Sequence, residues 1–276
     1  MSMTMKNEDR MQKIQVFKIG GNVVDNQSAL EKFAAGFASV KGPKVLVHGG
    51  GAIASQMQKR LGMEPVMVEG RRVTDAETLK IVTMVYAGWC NKSIVALLQK
   101  NGCRAIGLSG ADGAVMKSVR RPPVRSASTG ETVDYGFVGD LKPDDIDGDL
   151  IIRLIQAGLT PVFCAITCTR EGQLLNTNAD TVASCIAMSL ASLADTDLVF
   201  CFEKDGVLAD KDDDSSLIER INPEYFERLK ADGTVSDGML PKLENAFKAI
   251  ANGVSQVVIK NSDNVGNSRQ TTILRQ

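Results

Sequence analysis

The chain has one histidine and one tryptophan among its 276 residues, and aromatic residues make up only 5% of it. With His48 as the sole imidazole there is no usual zinc set, and a Ser-His-Asp triad would have to use a residue inside a glycine turn. No Gx4GK[ST] phosphate loop occurs, and no GxGxxG follows a strand-like run. Neither sign of charge is in excess. The formal net charge of −1 gives no electrostatic reason to expect nucleic acid or an anionic membrane as a partner. No apolar run approaches the roughly 20 residues that span a bilayer. The opening MSMTMKNEDRMQ lacks an apolar h-region, so it reads as a disordered lead-in rather than a secretory signal, and a cytoplasmic location is expected. The six cysteines, Cys90, Cys103, Cys164, Cys168, Cys185 and Cys201, form no CxxC pair and are expected to be buried and reduced.

The rest of the composition is that of a soluble globular protein, 43% hydrophobic and 24% charged, with length for one large α/β domain or two lobes. The chain is organised around Lys44 to Gly51, KVLVHGGG. Lys44 to Val47 is a short apolar run and reads as a buried strand. Gly49, Gly50 and Gly51 follow, and then Ile53, Met57 and Leu61 at helical spacing. A strand that turns through bare glycines into a helix presents free N–H groups at a helix N-terminus, a site for an anion. A tight turn that merely needs glycine is the alternative, and three in succession lean toward a ligand.

Other polar groups fall at comparable junctions. Ile14 to Ile19 reads as the first strand, with Lys18 near its end and Gly20-Gly21 after it, where α/β sheets bind ligands. Ser28 with Glu31, and Thr74 with Glu77, have the spacing of capping boxes. Arg71 and Arg72 are placed in a loop before a long helix, about Asp75 to Lys100, whose inward face holds Leu79, Val82, Tyr86 and Trp89. Arginines there can clamp a carboxylate or simply be solvated. Lys117 to Arg125 reads as part of an exposed hairpin returning near Thr132 to Val138. Asn176, Asn178 and Asp180 arrive at alternate positions before a helix and suit a polar site. The acidic run Asp210 to Asp214 fails as an EF-hand, because Ser215 and Ile221 occupy the glycine and bidentate-glutamate positions. Lys242 lies in the first turn of a helix, against its dipole preference, which points to an anion nearby. Thr271 to Leu274 would add an edge strand.

Strand and helix alternate throughout, which predicts a three-layer αβα sandwich with a largely parallel central sheet and two lobes, 13–171 and 172–276. Two lysines, a glycine anion hole, loop arginines and an aspartate at a helix start suit phosphoryl transfer, where a protein mostly positions groups and neutralises charge. Together these motifs resemble the amino-acid kinase family, most closely its N-acetylglutamate kinase branch, over about Lys13 to Lys260. Lys18-Ile19-Gly20-Gly21, His48-Gly49-Gly50-Gly51, Arg72-Val73-Thr74, Asn176-Thr177-Asn178-Ala179-Asp180, Asp205-Gly206-Val207-Leu208 and Gly238-Met239 with Lys242 stand in the family's order.

The resemblance implies an enzyme that phosphorylates the side-chain carboxylate of an N-acylated glutamate with ATP, giving an acyl phosphate in arginine biosynthesis. Lys18 and Lys242 would stabilise the phosphoryl group, with Asp180 orienting them. Gly50, Gly51, Arg72, Asn176 and Asn178 would hold the acylated amino acid in the N-lobe. Gly20, Gly21, Gly49, Glu203, Asp205, Gly206, Val207, Leu208, Gly238 and Met239 would bind phosphates and nucleotide, with Mg2+ arriving on the ATP rather than on protein ligands. A homodimer or higher homo-oligomer is implied as well. Arg71 stands where the family has an apolar residue, which raises an acyl group carrying its own carboxylate, as N-succinyl does; the alternative is an arginine pointing to solvent. Glu203-Lys204 replaces a Ser/Asp-like pair, and the tail after Lys260 lacks the family's His and acidic residues, so no arginine feedback is expected. The competing expectations are another phosphotransferase of the family, or a catalytically silent ligand sensor on the same fold.

Overall fold

The two apolar runs IQVFKI and KVLVH form the middle of an eight-stranded sheet in the computed structural model, which describes residues 12–126, 130–210, 212–235 and 239–275. The first eleven residues of the expected lead-in lie outside that set. In chain order the strands are β1 (Ile14–Ile19), β2 (Lys44–His48), β3 (Ala105–Leu108), β4 (Thr160–Cys164), β5 (Thr196–Phe202), β6 (Arg220–Ile221), β7 (Gln256–Asn261) and β8 (Thr271–Ile273). Their spatial order is β6-β8-β7-β5-β1-β2-β4-β3. From β7 to β3 every pairing is parallel, and β8 runs antiparallel to β7. The expected largely parallel α/β sandwich is present, but Thr271–Ile273 is not at the edge: it lies between β7 and β6.

Side chains alternate across the sheet with the period of two that a pleated strand imposes. Val16, Val45, Val47, Phe163 and Leu198 face one apolar core, with helices α6 (Ala179–Ala191) and α7 (Leu240–Ala251). Phe17, Ile19, Leu46, Val162 and Val199 face the other, with α2 (Gln27–Ser39), α4 (Ala76–Thr83) and α5 (Asn91–Lys100). Lys18 shares the parity of Val16, and His48 that of Leu46. The two side chains therefore leave the carboxyl ends of neighbouring strands on opposite faces. β1 has β2 on one side and β5 on the other, a switch point in chain direction, and a crevice opens there.

Two expected capping boxes are replaced by nearer caps. Asn26 accepts from the Ala29 N–H, and Asp75 accepts from the Thr78 N–H, so each helix starts one or two residues away from the Ser/Thr reading. Thr74 is buried and its hydroxyl donates to the Arg72 carbonyl instead. Arg71 and Arg72 form a two-residue strand paired with Met67 and Val68, rather than a loop. The basic segment does make paired strands, Val124–Arg125 with Thr132–Val133 and Val119–Arg120 with Gly139–Asp140. Arg170 and Gly172, at the expected lobe boundary, are in the turn between Ile166–Cys168 and Leu174–Asn176, which pair antiparallel.

Residues 76–100 are one rod of 25 residues, long and apolar enough to cross a bilayer by length and composition alone. Leu79, Val82, Ile94 and Leu98 on it are buried in the second core. Its middle, Met84–Cys90, is π-helix. Trp89, expected inward, is 69% exposed. A π turn bonds i to i+5, so the 3.6-residue count loses phase across it. All six cysteines are buried and free, as expected.

Candidate active site

The first site element is the glycine turn between β2 and α3 (Gly51–Arg60). Gly50 has φ +153°, and a Cβ there would lie 2.9 Å from the Cys90 sulfur and 3.0 Å from the Tyr86 ring. Only glycine fits that approach. Gly49, Gly50 and Gly51 line a cavity of about 210 Å³ with Arg71, Arg72, Tyr86, Asn176 and Asn178.

Arg72 is buried and rigidly held. It donates to the Gln58 side chain, to Ser55 Oγ at 2.8 Å and to the Gly51 carbonyl at 2.9 Å. Gln58 in turn donates to Thr78 Oγ1 at 3.1 Å, and Asn176 donates to Thr74 Oγ1 at 3.0 Å. A buried guanidinium braced on three sides is preorganised for a carboxylate. Burial pushes the Tyr86 hydroxyl pKa up, opposed by Arg72. Arg71 is half-buried on the same wall, and its guanidinium makes no hydrogen bond to any described residue. Burial lowers its pKa, and Arg121 lowers it further, against Asp140, Tyr135 and Glu69. Asn178 caps α6, accepting from the Thr181 N–H at 3.0 Å, so its oxygen is committed to the helix.

Lys18 and Lys242 come together around the Phe202 ring, 5.8 Å and 4.1 Å from its centroid. Lys18 is buried and its ammonium is 2.7 Å from Asp180 Oδ1. Lys242 makes no ion pair among the described residues; burial lowers its pKa, Asp180 opposes that, Lys18 reinforces it and Glu203 opposes it. Asp180 is paired with Lys18, so the Lys242 ammonium, which only feels Asp180 and Glu203 without pairing to either, is the cation left to meet an incoming anion.

A second cavity, of about 330 Å³, is lined by Gly20, Gly21, Asn22, Glu203 and Lys242 among others. Neither Lys18 nor Asp180 lines either cavity, but each stands close in sequence to a residue that does. Asp180 follows Ala179, which lines the first, and Lys18 precedes Gly20, which lines the second. A third, of about 700 Å³, shares Lys204, Gly206 and Met239 with the second and adds Val207, Leu208 and Val235. Glu203 is tied to Asn22 of α1 (Gly21–Asp25) and, through its carbonyl, to Asn261. Asp205 lines none of these cavities: it pairs with Arg269 at 2.5 Å and accepts from Asn264. Gly206 is forced by close packing, since a Cβ would lie 2.3 Å from Thr271 Oγ1. Gly238 lies outside the described residues.

The sequence reading missed Ser55, Gln58, Tyr86, Asn22 and Phe202. Ser55 and Gln58 are three apart on α3, a polar pair on a face that buries Gln58 to 1% exposure, and that spacing was the available signal.

A model of the amino acid kinase family matches residues 13–261. The acetylglutamate kinase of Cytophaga hutchinsonii is 51% identical over 90% of this chain and 91% of its own length. That of Phocaeicola vulgatus is 48% identical over 95% and 98%. Among solved structures, smu.665 from Streptococcus mutans UA159 is similar in fold, with a TM-score of 0.73 at 23% identity over 95% of this chain and 99% of that one.

Proposed function

The chain belongs to the amino acid kinase family, and from that premise we infer that it is a kinase that moves the terminal phosphoryl group of ATP to the side-chain carboxylate of N-acetyl-L-glutamate, a step of arginine biosynthesis. The carrying observation is the convergence of Lys18 and Lys242 on Phe202 and Asp180, with Lys242, Gly20 and Gly21 lining one cavity and Ala179, next to Asp180 in the chain, lining another with the braced Arg72.

A side-chain carboxylate has a pKa near 4.3, so at neutral pH it is already the nucleophile and needs no general base. The obstacle is bringing two anions into contact. Arg72 and Asn176 anchor the acylated amino acid, and the Gly50 and Gly51 N–H groups receive its side-chain carboxylate. Lys18, held by Asp180, and Lys242 neutralise charge on the phosphoryl group as it passes. The glycine N–H groups and Lys242 in the second cavity are a donor set fit for polyphosphate, and the third cavity, with Val207, Leu208 and Met239, suits the base. Magnesium would enter with the nucleotide, neutralising its β- and γ-phosphoryl oxygens. In this reading the N-lobe, 13–171, carries the acylated substrate and the C-lobe, 172–276, the nucleotide. A cytoplasmic location and indifference to millimolar arginine go with it.

A finer reading concerns the acyl group. Arg71 lines the substrate cavity, is partly desolvated, and its guanidinium lacks a hydrogen-bond partner among the described residues, which favours a second carboxylate on the acyl chain over a solvated arginine. Self-association is part of the same proposal: Met84 and Trp89 are 60% and 69% exposed on one rod, and light scattering on the intact chain tests for a dimer. The functional test is hydroxamate trapping of acyl phosphate with MgATP and N-acetyl- or N-succinylglutamate in parallel. Product with either supports the kinase reading, and none with both refutes it. A preference for succinyl that Arg71→Gln abolishes assigns the residue, whereas an acetyl preference removes the second carboxylate.

A further inference from the structure

His48 ends β2 directly before the glycine turn, is fully buried, and has no part in the chemistry above. Its surroundings fix which ring nitrogen carries hydrogen. Asn91 Nδ2 donates to the Val162 carbonyl at 3.0 Å, and Asn91 Oδ1 accepts from the Lys92 ammonium at 3.1 Å. Those two bonds set the amide's orientation, so the second Nδ2 hydrogen points at His48 Nε2, 3.0 Å away. Nε2 must accept. Nδ1 then carries the hydrogen and donates to the Gly49 carbonyl at 2.7 Å.

The consequence lies in the next peptide. No peptide bond among the described residues is cis. In a trans unit the C=O and the following N–H point in opposite directions. Drawing the Gly49 carbonyl toward the ring therefore turns the Gly50 N–H the other way. We propose that His48 is a positioning residue for phosphoryl transfer: its Nδ1–H holds the Gly49–Gly50 peptide so that the Gly50 N–H faces the substrate cavity. The proposal rests on the kinase reading of that cavity. A peptide between two glycines rotates easily. Reversed, it would aim a carbonyl oxygen at the place where two anions must meet.

The protein's one histidine makes the first test direct. In tag-free protein labelled with 15N-histidine, the proposal requires Nδ1 to be the protonated nitrogen and Nε2 the bare one; the opposite tautomer overturns it. Kinetics supply the second test. Losing one such donor costs about 100-fold or more in kcat. We expect His48→Leu to lower kcat by about that factor, with KM for MgATP and acylglutamate and the binding of MgADP within about threefold of wild type. His48→Asn, which can still present an N–H to the Gly49 carbonyl, should retain kcat within about tenfold. Equal losses in the two variants would reduce His48 to a structural residue, and an unimpaired His48→Leu would refute the proposal outright. If wild-type protein forms no hydroxamate with either acylglutamate, the kinase reading fails and the proposal falls with it.

Discussion

Acidification should weaken this fold through His48 in a manner separable from every carboxylate. The imidazole is completely buried, and burial lowers its pKa from 6.5 to about 4, with the Lys92 charge acting in the same direction and the Gly49 carbonyl opposing. Between those values the unfolded chain binds a proton at this position and the folded chain does not. Stability therefore rises with pH across that window, is fully present above 6.5, and is lost as pH falls toward 4. A gap of about 2.5 pH units at ~1.4 kcal/mol per unit amounts to about 3–4 kcal/mol. Paired carboxylates lose stability over the same range, so the control is His48→Asn, in which they are unchanged but nothing titrates at 48. Urea unfolding at one protein concentration, at pH 7, 5.5 and 4.5, gives the comparison. Wild type should lose about 2–3 kcal/mol more than the variant between the extremes. Parallel pH dependences would refute the reasoning, because they would mean that His48 takes up its proton in the folded state as readily as in the unfolded one.

Three further expectations follow from the geometry. Lys242→Met should cut kcat by about 100-fold or more in the hydroxamate assay while leaving thermal unfolding near that of wild type, since this ammonium makes no ion pair among the described residues. Gly50→Ala forces a side chain into φ +153° and 2.9 Å from the Cys90 sulfur; the urea midpoint should fall by the equivalent of about 1–3 kcal/mol and activity should be lost. Lys44→Met removes an ammonium that donates to the Phe37, Ala38 and Val40 carbonyls at the end of α2, which should cost about 1–3 kcal/mol in urea and spare kcat, as Lys44 is remote from the cavities.

The parallel sheet and the glycine turns were legible in the sequence because a period of two, and glycine's unique steric freedom, are local signals. Lys18, Asp180, Arg72 and the glycines of both turns were singled out from strand ends and helix starts; the structure pairs Lys18 with Asp180 and puts Arg72 and the glycines on cavity walls. Local signals failed where a distant partner decides the outcome. Asp205 has the same neighbours in sequence as the nucleotide-turn residues, but Arg269, 64 positions later, claims it. Thr74 looked like a helix cap, and burial beside Asn176 gave its hydroxyl another use. Gln58 reads as a surface residue of an amphipathic helix until Arg72 is placed beneath it. The Arg71–Arg72 strand was invisible because two residues carry no periodicity.

The π stretch, Met84–Cys90, makes the length of its rod critical to a single residue. Tyr86 beside Gly50 and Asn91 bonded to His48 are five positions apart, and both attend to the same turn. In regular α-helix, five residues rotate through about 500°, leaving such side chains about 140° out of line; an i to i+5 turn brings them nearly into register. Deletion of Gly88, an open position with nothing near its missing side chain, would let the rod relax into one uninterrupted α-helix. Either the half bearing Tyr86 or the half bearing Asn91 would then lose its contacts, so a one-codon deletion at an accessible site should disable the enzyme where a substitution there would pass unnoticed.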